Sequence, residues 1–412
     1  MSRRIVVTGV GAVTAVGHTA EDTWQAMLAG RSGIGPVTLF DADPYPVRIQ
    51  AEVKDFDLGE RVDAKQQRHM TRGVKFGMSA ALEALDDSQL EINESNADDI
   101  AVVFSSGGGG VDMIVENQQI LDTKGPRRIT PFLVANFIND AISGHIAIAT
   151  GARGHNMAVV SACATGGGSL GEAYEVIKRG DATAAIAGSC EAVLLPIFHA
   201  TWCAMRALAG DNENPAKALK PFDLNRDGFV AGEGAGAMIL EDYDHAMARG
   251  ARIYCEVVGY GASNDAFDMI ALHETGRGLK RAMSAAIRKA EIDPATIDYI
   301  NPHGSGTPLN DKVETAVFKE LMGEAAYSAA ISSVKPITGH CMGASGSVEA
   351  LACVMAIRDQ KVPPTINYTT PDPECDLNYV PNEAQSIPVE VALTTSVGLG
   401  GHNSCVIFRA LS

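Results

Sequence analysis

Short apolar runs that close in a glycine turn and lead into an amphipathic helix recur along the whole chain. This alternation leaves layered α/β architectures as the main solution. Strand-like runs fall at residues 4–11, 100–106, 182–188, 235–241, 253–260, 297–302, 329–332, 391–397 and 403–408. Helical periodicity falls at 20–29, 64–86, 127–151, 170–177, 276–290, 312–322 and 345–358. The 42 glycines cluster in short turns between such segments. No Ser/Gly/Pro-rich linker parts the chain, so two intimately packed halves, 1–250 and 251–412, fit better than two tethered domains.

The net charge of −17 argues against a general binder of nucleic acid or membrane surfaces, and any acidic protein partner needs a local basic patch. None of the eight cysteines shares C-x-x-C spacing, which gives no support to a zinc or disulfide-exchange motif. Apolar runs stay short of the roughly 20 residues of a membrane span. Met1 runs almost directly into a strand, so no leader is read and the expectation is a reduced, soluble, cytoplasmic protein.

Three glycine-rich patterns look functional and fail on inspection. Gly9-x-Gly11 opens like a dinucleotide fingerprint, but the sixth position is Thr14 and no acidic ribose partner follows, so a close-packed strand and turn is the better account. Asp223-x-Asn225-x-Asp227-Gly228 resembles a calcium loop, but its twelfth position is Gly234, with Glu233 one residue early. Gly107 to Gly110 are four consecutive glycines suited to phosphate, yet no Lys-Ser/Thr follows, and packing is preferred.

The chemistry lies elsewhere. In Val159-Val-Ser-Ala-Cys163-Ala-Thr-Gly-Gly-Gly-Ser-Leu170 a lone cysteine sits between an apolar run and a helix that becomes amphipathic from Leu170. A helix N-terminus favours thiolate over thiol, so Cys163 reads either as a nucleophile or as a buried structural cysteine. His303 and His340 occupy glycine-flanked turns after strands, where open α/β folds gather reactive groups. Singly, each also suits a hydrogen-bonded core. Together with a thiol they allow two arrangements: a cysteine–histidine dyad, or two N–H donors on one enolate oxygen. The second suits carbon–carbon bond formation, with Lys335, Asp311 and Glu314 setting protonation and orientation.

Ordered motifs then carry a resemblance over almost the whole chain. They are Ser161-Ala-Cys163-Ala-Thr-Gly, Pro221-Phe-Asp223 with Arg226-Asp-Gly-Phe-Val-Ala-Gly-Glu-Gly-Ala-Gly236, His303-Gly-x-x-Thr-Pro, Lys335-x-x-Thr-Gly-His340, Val362-Pro-Pro-Thr-Ile-Asn367 and Gly398-x-Gly-Gly-His-Asn403. The chain resembles the β-ketoacyl-[acyl-carrier-protein] synthases, especially the type II elongating enzymes, and through them the thiolase superfamily. The resemblance implies a thiolase-like α/β fold, two similar halves packed as α-β-α-β-α, and a homodimer. It implies decarboxylating condensation: Cys163 takes the acyl chain, and malonyl-acyl-carrier protein loses CO2 and attacks it. His303 and His340 are then expected to hold the enolate, with Lys335, Asp311, Glu314 and Glu349 in support. The N–H groups of Cys163 and Leu399 are expected to form an oxyanion hole.

By the same resemblance Ser305 and Thr307 touch the pantetheine arm, and Gly108, Trp202 and Leu399 shape the acyl pocket. Lys65, Arg68, Arg127, Arg128 and Arg206 become candidates for docking the acidic carrier protein. No cofactor is implied beyond the carrier's own phosphopantetheine. In some relatives Asn301, Glu349 and the Thr395–Ser396 segment surround a monovalent cation; here a hydrogen-bonded structural cluster is preferred.

The chain also departs from the family pattern. Val397-Gly398-Leu399-Gly400-Gly401 replaces Phe-Gly-Phe-Gly-Gly, and Gly108 replaces a larger apolar residue at the pocket floor, with Trp202 available to refill it. Pro302, Ser305-Gly306, Val334 and Pro336 replace commoner neighbours of the catalytic His and Lys. These changes point to an atypical, long or bulky acyl substrate. A polyketide-type ketosynthase is the in-class alternative. A catalytically silent chain-length factor conflicts with the complete Cys163, His303, Lys335, His340 set. A thiolase needs a second reactive cysteine, and Cys405 lies in a strand pattern.

Overall fold

The computed structural model describes residues 3–411, so Met1 and Ser2, on which the leaderless start is read, and Ser412 lie outside it. Ten strands form one hydrogen-bonded sheet. At its centre, Ile5–Val13 and Cys255–Asn264 pair antiparallel over only three residue pairs, from Ile5 with Val257 to Val7 with Cys255. Outward from Ile5–Val13 come Gly234–Asp242, Ala184–Glu191, Ile100–Ser106 and Asn156–Met157. Outward from Cys255–Asn264 come His402–Arg409, Val391–Gly398, Tyr299–Asn301 and Ala330–Ile331. On each side the first two pairings are antiparallel and the next two parallel. The two half-sheets therefore repeat one topology.

Helices Thr165–Arg179 and Ser345–Asp359 pack between the half-sheets and touch strands of both. Arg72–Ser88 and Ala141–Thr150 cover the outer face of the first half-sheet, and Arg277–Ala290 that of the second. The result is the α-β-α-β-α layering. Strands in the middle of such a stack are buried on both faces, which is why they read as unbroken apolar runs. Close approach explains the recurring glycines. A Cβ at Gly9 or Gly11 would lie 2.1 or 2.0 Å from the carbonyls of Ala84 and Ala80. One at Gly259 or Gly261 would meet Ala286 and Ala282 at 2.4 and 2.0 Å. The G-x-G pattern thus seats an outer helix on its strand in both halves, and the first strand runs on through Gly11 to Val13.

The structure corrects several local expectations. The helix read over 64–86 is two, Ala64–Gln67 and Arg72–Ser88, because the Thr71 hydroxyl accepts from Val74 N and starts the second afresh. The helical region 127–151 divides into Leu133–Phe137 and Ala141–Thr150 after a short 3₁₀ turn. Helices Val111–Lys124 and Pro196–Ala204 were not legible as periodic segments. Asp223 holds no calcium loop together: its carboxylate accepts from the N–H groups of Asn225, Thr369 and Thr370. All eight cysteines are free thiols. Among the described residues no helix is long and apolar enough to cross a membrane.

Candidate active site

Cys163 lies in a 3₁₀ turn, Ala162–Ala164, that runs straight into the helix Thr165–Arg179. The helix starts five residues before Leu170, because its glycines permit a close crossing. A Cβ at Gly166 would lie 2.4 Å from Ser347 N of the other central helix, and one at Gly346 would lie 2.6 Å from Gly167 N. The apolar run before the turn is not a strand end; only Asn156–Met157 pairs there, and Val160 is exposed. The turn is strained: Ala162 has φ +51°, a left-handed conformation unusual for a residue with a Cβ. Its counterpart in the second half, Met342, has φ +47° and precedes the helix Ser345–Asp359 in the same way.

Gly398 presses on the nucleophile turn, a Cβ there falling 2.8 Å from Ser161 O and 3.0 Å from Cys163 N. The next residue, Leu399, directs its N–H at the thiol. Burial pushes the Cys163 thiol up to about 11, against the pull of Lys335 and of that N–H. The resting group is therefore a thiol, and desolvation outweighs the pull toward thiolate expected of a helix start.

His303 follows the strand Tyr299–Asn301, and its own main-chain groups and those of Gly304 are hydrogen-bonded. Its N–H and that of Gly304 donate to Glu314 at 2.7 Å each. Its carbonyl accepts from the Lys335 ammonium, which also pairs with Glu349. The Gly304 carbonyl accepts from Ser333 Oγ at 2.8 Å, and Gly306 N donates to Asp311 at 3.2 Å. Asp311 also accepts from Phe222 N, tying this loop to the Pro221-Phe-Asp223 motif. Burial raises Glu314 and Glu349 to about 7 in spite of these donors.

The His303 and His340 rings lie edge to face with centroids 5.2 Å apart. Both imidazoles are held well below their ordinary value, by burial first and the Lys335 charge second. They are neutral at neutral pH. Ser345 Oγ sits 2.8 Å from His340 Nδ1; with the hydroxyl donating there, the ring proton is on Nε2. Phe229, from the Arg226-Asp-Gly-Phe motif, packs its ring against His340 at 5.4 Å and walls the site.

Cys163, His303 and His340 line one cavity of about 300 Å³ together with Ser305, Thr307, Trp202 and Leu399. Its mouth also carries Ile270, Ala271 and Leu272, from a segment no motif marked. Ser305 Oγ and Thr307 Oγ1 are 3.0 Å apart. Leu399 is 46% exposed at the mouth. Gly108 is not part of this wall. A Cβ there would lie 2.5 Å from Val193 Cγ1, so Val193 already fills the space that the missing side chain was expected to open. Cys405 is fully buried in the strand His402–Arg409.

Of the five basic candidates, all are exposed and, among the described residues, none makes an ion pair. His69 stacks on Phe132 at 3.8 Å, which brings the segment of Lys65 and Arg68 against that of Arg127 and Arg128. Arg206 stands between Met205 and Ala207, both at the cavity wall. The cluster of Asn301, Glu349 and Ser396 is not a closed hydrogen-bonded one. Among the described residues, Asn301 Oδ1, Glu349 Oε2 and Ser396 Oγ are buried without a partner.

Comparison with known proteins matches residues 2–246 to the beta-ketoacyl synthase N-terminal domain and 254–369 to its C-terminal domain. The 3-oxoacyl-[acyl-carrier-protein] synthase 2 of Synechocystis is 46% identical over 407 residues, covering 99% of this chain and 98% of that protein. The synthase of the same name from Staphylococcus aureus is 44% identical over 409 residues, again covering 99% and 98%. A ketosynthase solved in complex with its type II PKS acyl-carrier protein superposes with a TM-score of 0.91 at 34% identity, covering 100% of both chains. With two family models in tandem and relatives matched from end to end, the chain belongs to the beta-ketoacyl synthase family and has its thiolase-like fold.

Proposed function

We propose that the protein is a 3-oxoacyl-[acyl-carrier-protein] synthase that joins an acyl chain on Cys163 to malonyl-acyl-carrier protein with loss of CO2. One observation carries this reading: two neutral histidines, 5.2 Å apart, share a cavity with a single thiol. Neutral N–H donors suit an enolate oxygen, whereas a lone histidine base suits hydrolysis.

In the first stage Cys163 Sγ attacks the acyl thioester carbonyl, its proton leaving with the carrier thiol. The N–H groups of Cys163 and Leu399 hold the oxyanion between them. In the second, the C–CO2 bond of the malonyl thioester breaks and its electron pair forms the enolate. His303 and His340 donate to the enolate oxygen. The enolate carbon then bonds to the acyl carbonyl and expels Cys163 as thiolate, giving a β-ketoacyl thioester two carbons longer. Lys335 holds the His303 carbonyl in place, while Asp311, Glu314 and Glu349 fix the surrounding loop and charge. Ser305 and Thr307 meet the pantetheine arm at the mouth, and Trp202 and Leu399 bound the acyl chain.

No cofactor beyond the carrier's phosphopantetheine takes part. The unpartnered Asn301 Oδ1, Glu349 Oε2 and Ser396 Oγ, an amide, a carboxylate and a hydroxyl, fit a monovalent cation, which when bound supplies a fixed positive charge beside Glu349. Lys65, Arg68, Arg127, Arg128 and Arg206 receive the carrier protein. The reading includes a cytoplasmic location and a chain divided near residue 250 into a thiol-bearing and a histidine-bearing half. A second copy covers the apolar face beside the open edge strand Asn156–Met157, where Ile148 is 75% and Val134 69% exposed.

Incubation with acyl- and malonyl-carrier proteins tests the reading. The expected products are CO2, a Cys163 acyl adduct and a chain longer by two carbons; Cys163→Ala abolishes all but residual decarboxylation. Condensation of acetyl thioesters without CO2 release would instead make the protein a thiolase. A polyketide-type substrate is the second reading, favoured by Leu399 at the mouth. A panel of acyl-carrier proteins, read by mass of acyl-Cys163, separates it from ordinary straight-chain elongation.

A further inference from the structure

The condensation gives no part to Glu191, which ends the strand Ala184–Glu191 and is 1% exposed. Its partners are four donors: Ser106 Oγ at 2.8 Å and the N–H groups of Gly107, Gly108 and Gly343 at 3.0, 3.1 and 3.2 Å. The glycine turn that looks suited to phosphate does cradle an anion, and the anion is this side chain. Donors alone surround it, the setting of a carboxylate, while burial pushes it up to about 7.

The two turns it joins belong to different halves. Gly107 and Gly108 follow the strand Ile100–Ser106; Gly343 lies in the turn after His340. A Cβ at Gly107 would lie 3.4 Å from Gly343 Cα and 3.5 Å from Ala162 O, so the nucleophile turn rests on this junction. Gly398 closes on the same turn from elsewhere. Ala162 and Met342 are both left-handed, and such conformations persist only where the surroundings over-determine them.

We propose that Glu191 is a positioning residue for Cys163, clamping the Gly107–Gly108 turn to the Met342–Ala344 turn so that the strained Ala162–Cys163 turn is held in reach of His340. This deepens the condensing role and rests on it for the turnover measurement alone; the thiol measurement stands without it. The clamp also acts through its charge. The charged groups facing Cys163 are Lys335, which favours the thiolate, and Glu191 and Glu349, which oppose it. Neutralising residue 191 therefore eases thiol ionisation while loosening the turn, two effects of opposite sign that simple loss of packing does not produce.

Alkylation of Cys163 by iodoacetamide, followed by mass across the neutral and alkaline range, reads the first effect. Acyl transfer from acyl-carrier protein reads the second. In Glu191→Gln the alkylation midpoint is expected to fall by roughly half to one pH unit, while acyl transfer slows about tenfold or more. In Glu191→Asp the charge stays and the reach shortens, so the midpoint holds and acyl transfer still slows. Glu191→Gln with the wild-type midpoint and rate overturns the proposal, as does a shifted midpoint with no loss of rate in either variant. Should Glu191→Gln fail to fold, wild-type acyl transfer in Glu191→Asp overturns it. A wild-type protein that shows no condensation, with the alkylation shifts intact, sinks the assigned reaction and leaves the electrostatic part of the clamp standing.

Discussion

The Lys335 ammonium donates to the main-chain carbonyl of His303, and the same ammonium pairs with the buried Glu349 carboxylate. One cation thus fixes the backbone beneath one imidazole and adds to burial, the larger cause, in holding both rings below their ordinary value. Removing one member of a buried pair leaves the other uncompensated, so Lys335→Ala should lose about 3–5 kcal/mol of stability in urea unfolding. Lys335→Ala with Glu349→Gln should lose clearly less. Equal losses would show that side-chain packing, not charge, decides.

Stability should respond to pH through the two histidines in a defined direction. Unfolded imidazoles bind protons near pH 6.5, whereas the buried ones remain neutral well below it. The unfolded state therefore gains protons first, and stability present above about 6.5 is lost as pH falls toward the folded values. The double variant His303→Gln, His340→Gln should have a flatter acid limb than the wild type. Glu314 and Glu349, raised to about 7, act oppositely, losing stability as pH rises through about 7, but they are common to both proteins. An acid limb as steep in the variant as in the wild type would refute the assignment.

Central-helix crossing at Gly166 and Gly346 should tolerate no side chain. Gly166→Ala and Gly346→Ala each force backbone apart, with an expected cost of about 1–3 kcal/mol in melting experiments. Because both enlarge the same crossing, the double variant should not be the sum of the singles.

Carrier docking separates from chemistry by substrate size. Charge reversal at Arg68 together with Arg206 should raise KM for carrier-bound thioesters several-fold and leave acyl transfer from a small soluble thioester unchanged. Loss with both substrates alike would discard these arginines as a docking site.

How much was legible beforehand depends on where each constraint resides. Strands such as Ile100–Ser106 were readable because burial on both faces makes the body of the strand, Ile100 to Phe104, an unbroken apolar run. The start of the Cys163 helix was not, since Gly166, Gly167 and Gly168 are poor helix formers and are placed by the neighbouring helix instead. Cys163, His303, Lys335 and His340 stood out because each lies in a contiguous motif. Gly108 misled because its neighbour Val193 is 85 residues away in sequence and fills the gap only in the fold. Glu191 gave no signal at all: its partners are mostly main-chain N–H groups, which carry no side-chain signature.

Of the ten strands in the sheet, the one at the middle is synthesised before the other nine. Ile5–Val13 finds its neighbours in Gly234–Asp242 and Cys255–Asn264, so it leaves the ribosome long before either can pair with it. Until translation reaches Gly234 the nascent chain carries this apolar strand with both edges unpaired, and such edges recruit chaperones or aggregate. Translation must therefore reach Gly234–Asp242 before the sheet can begin to close around its central strand.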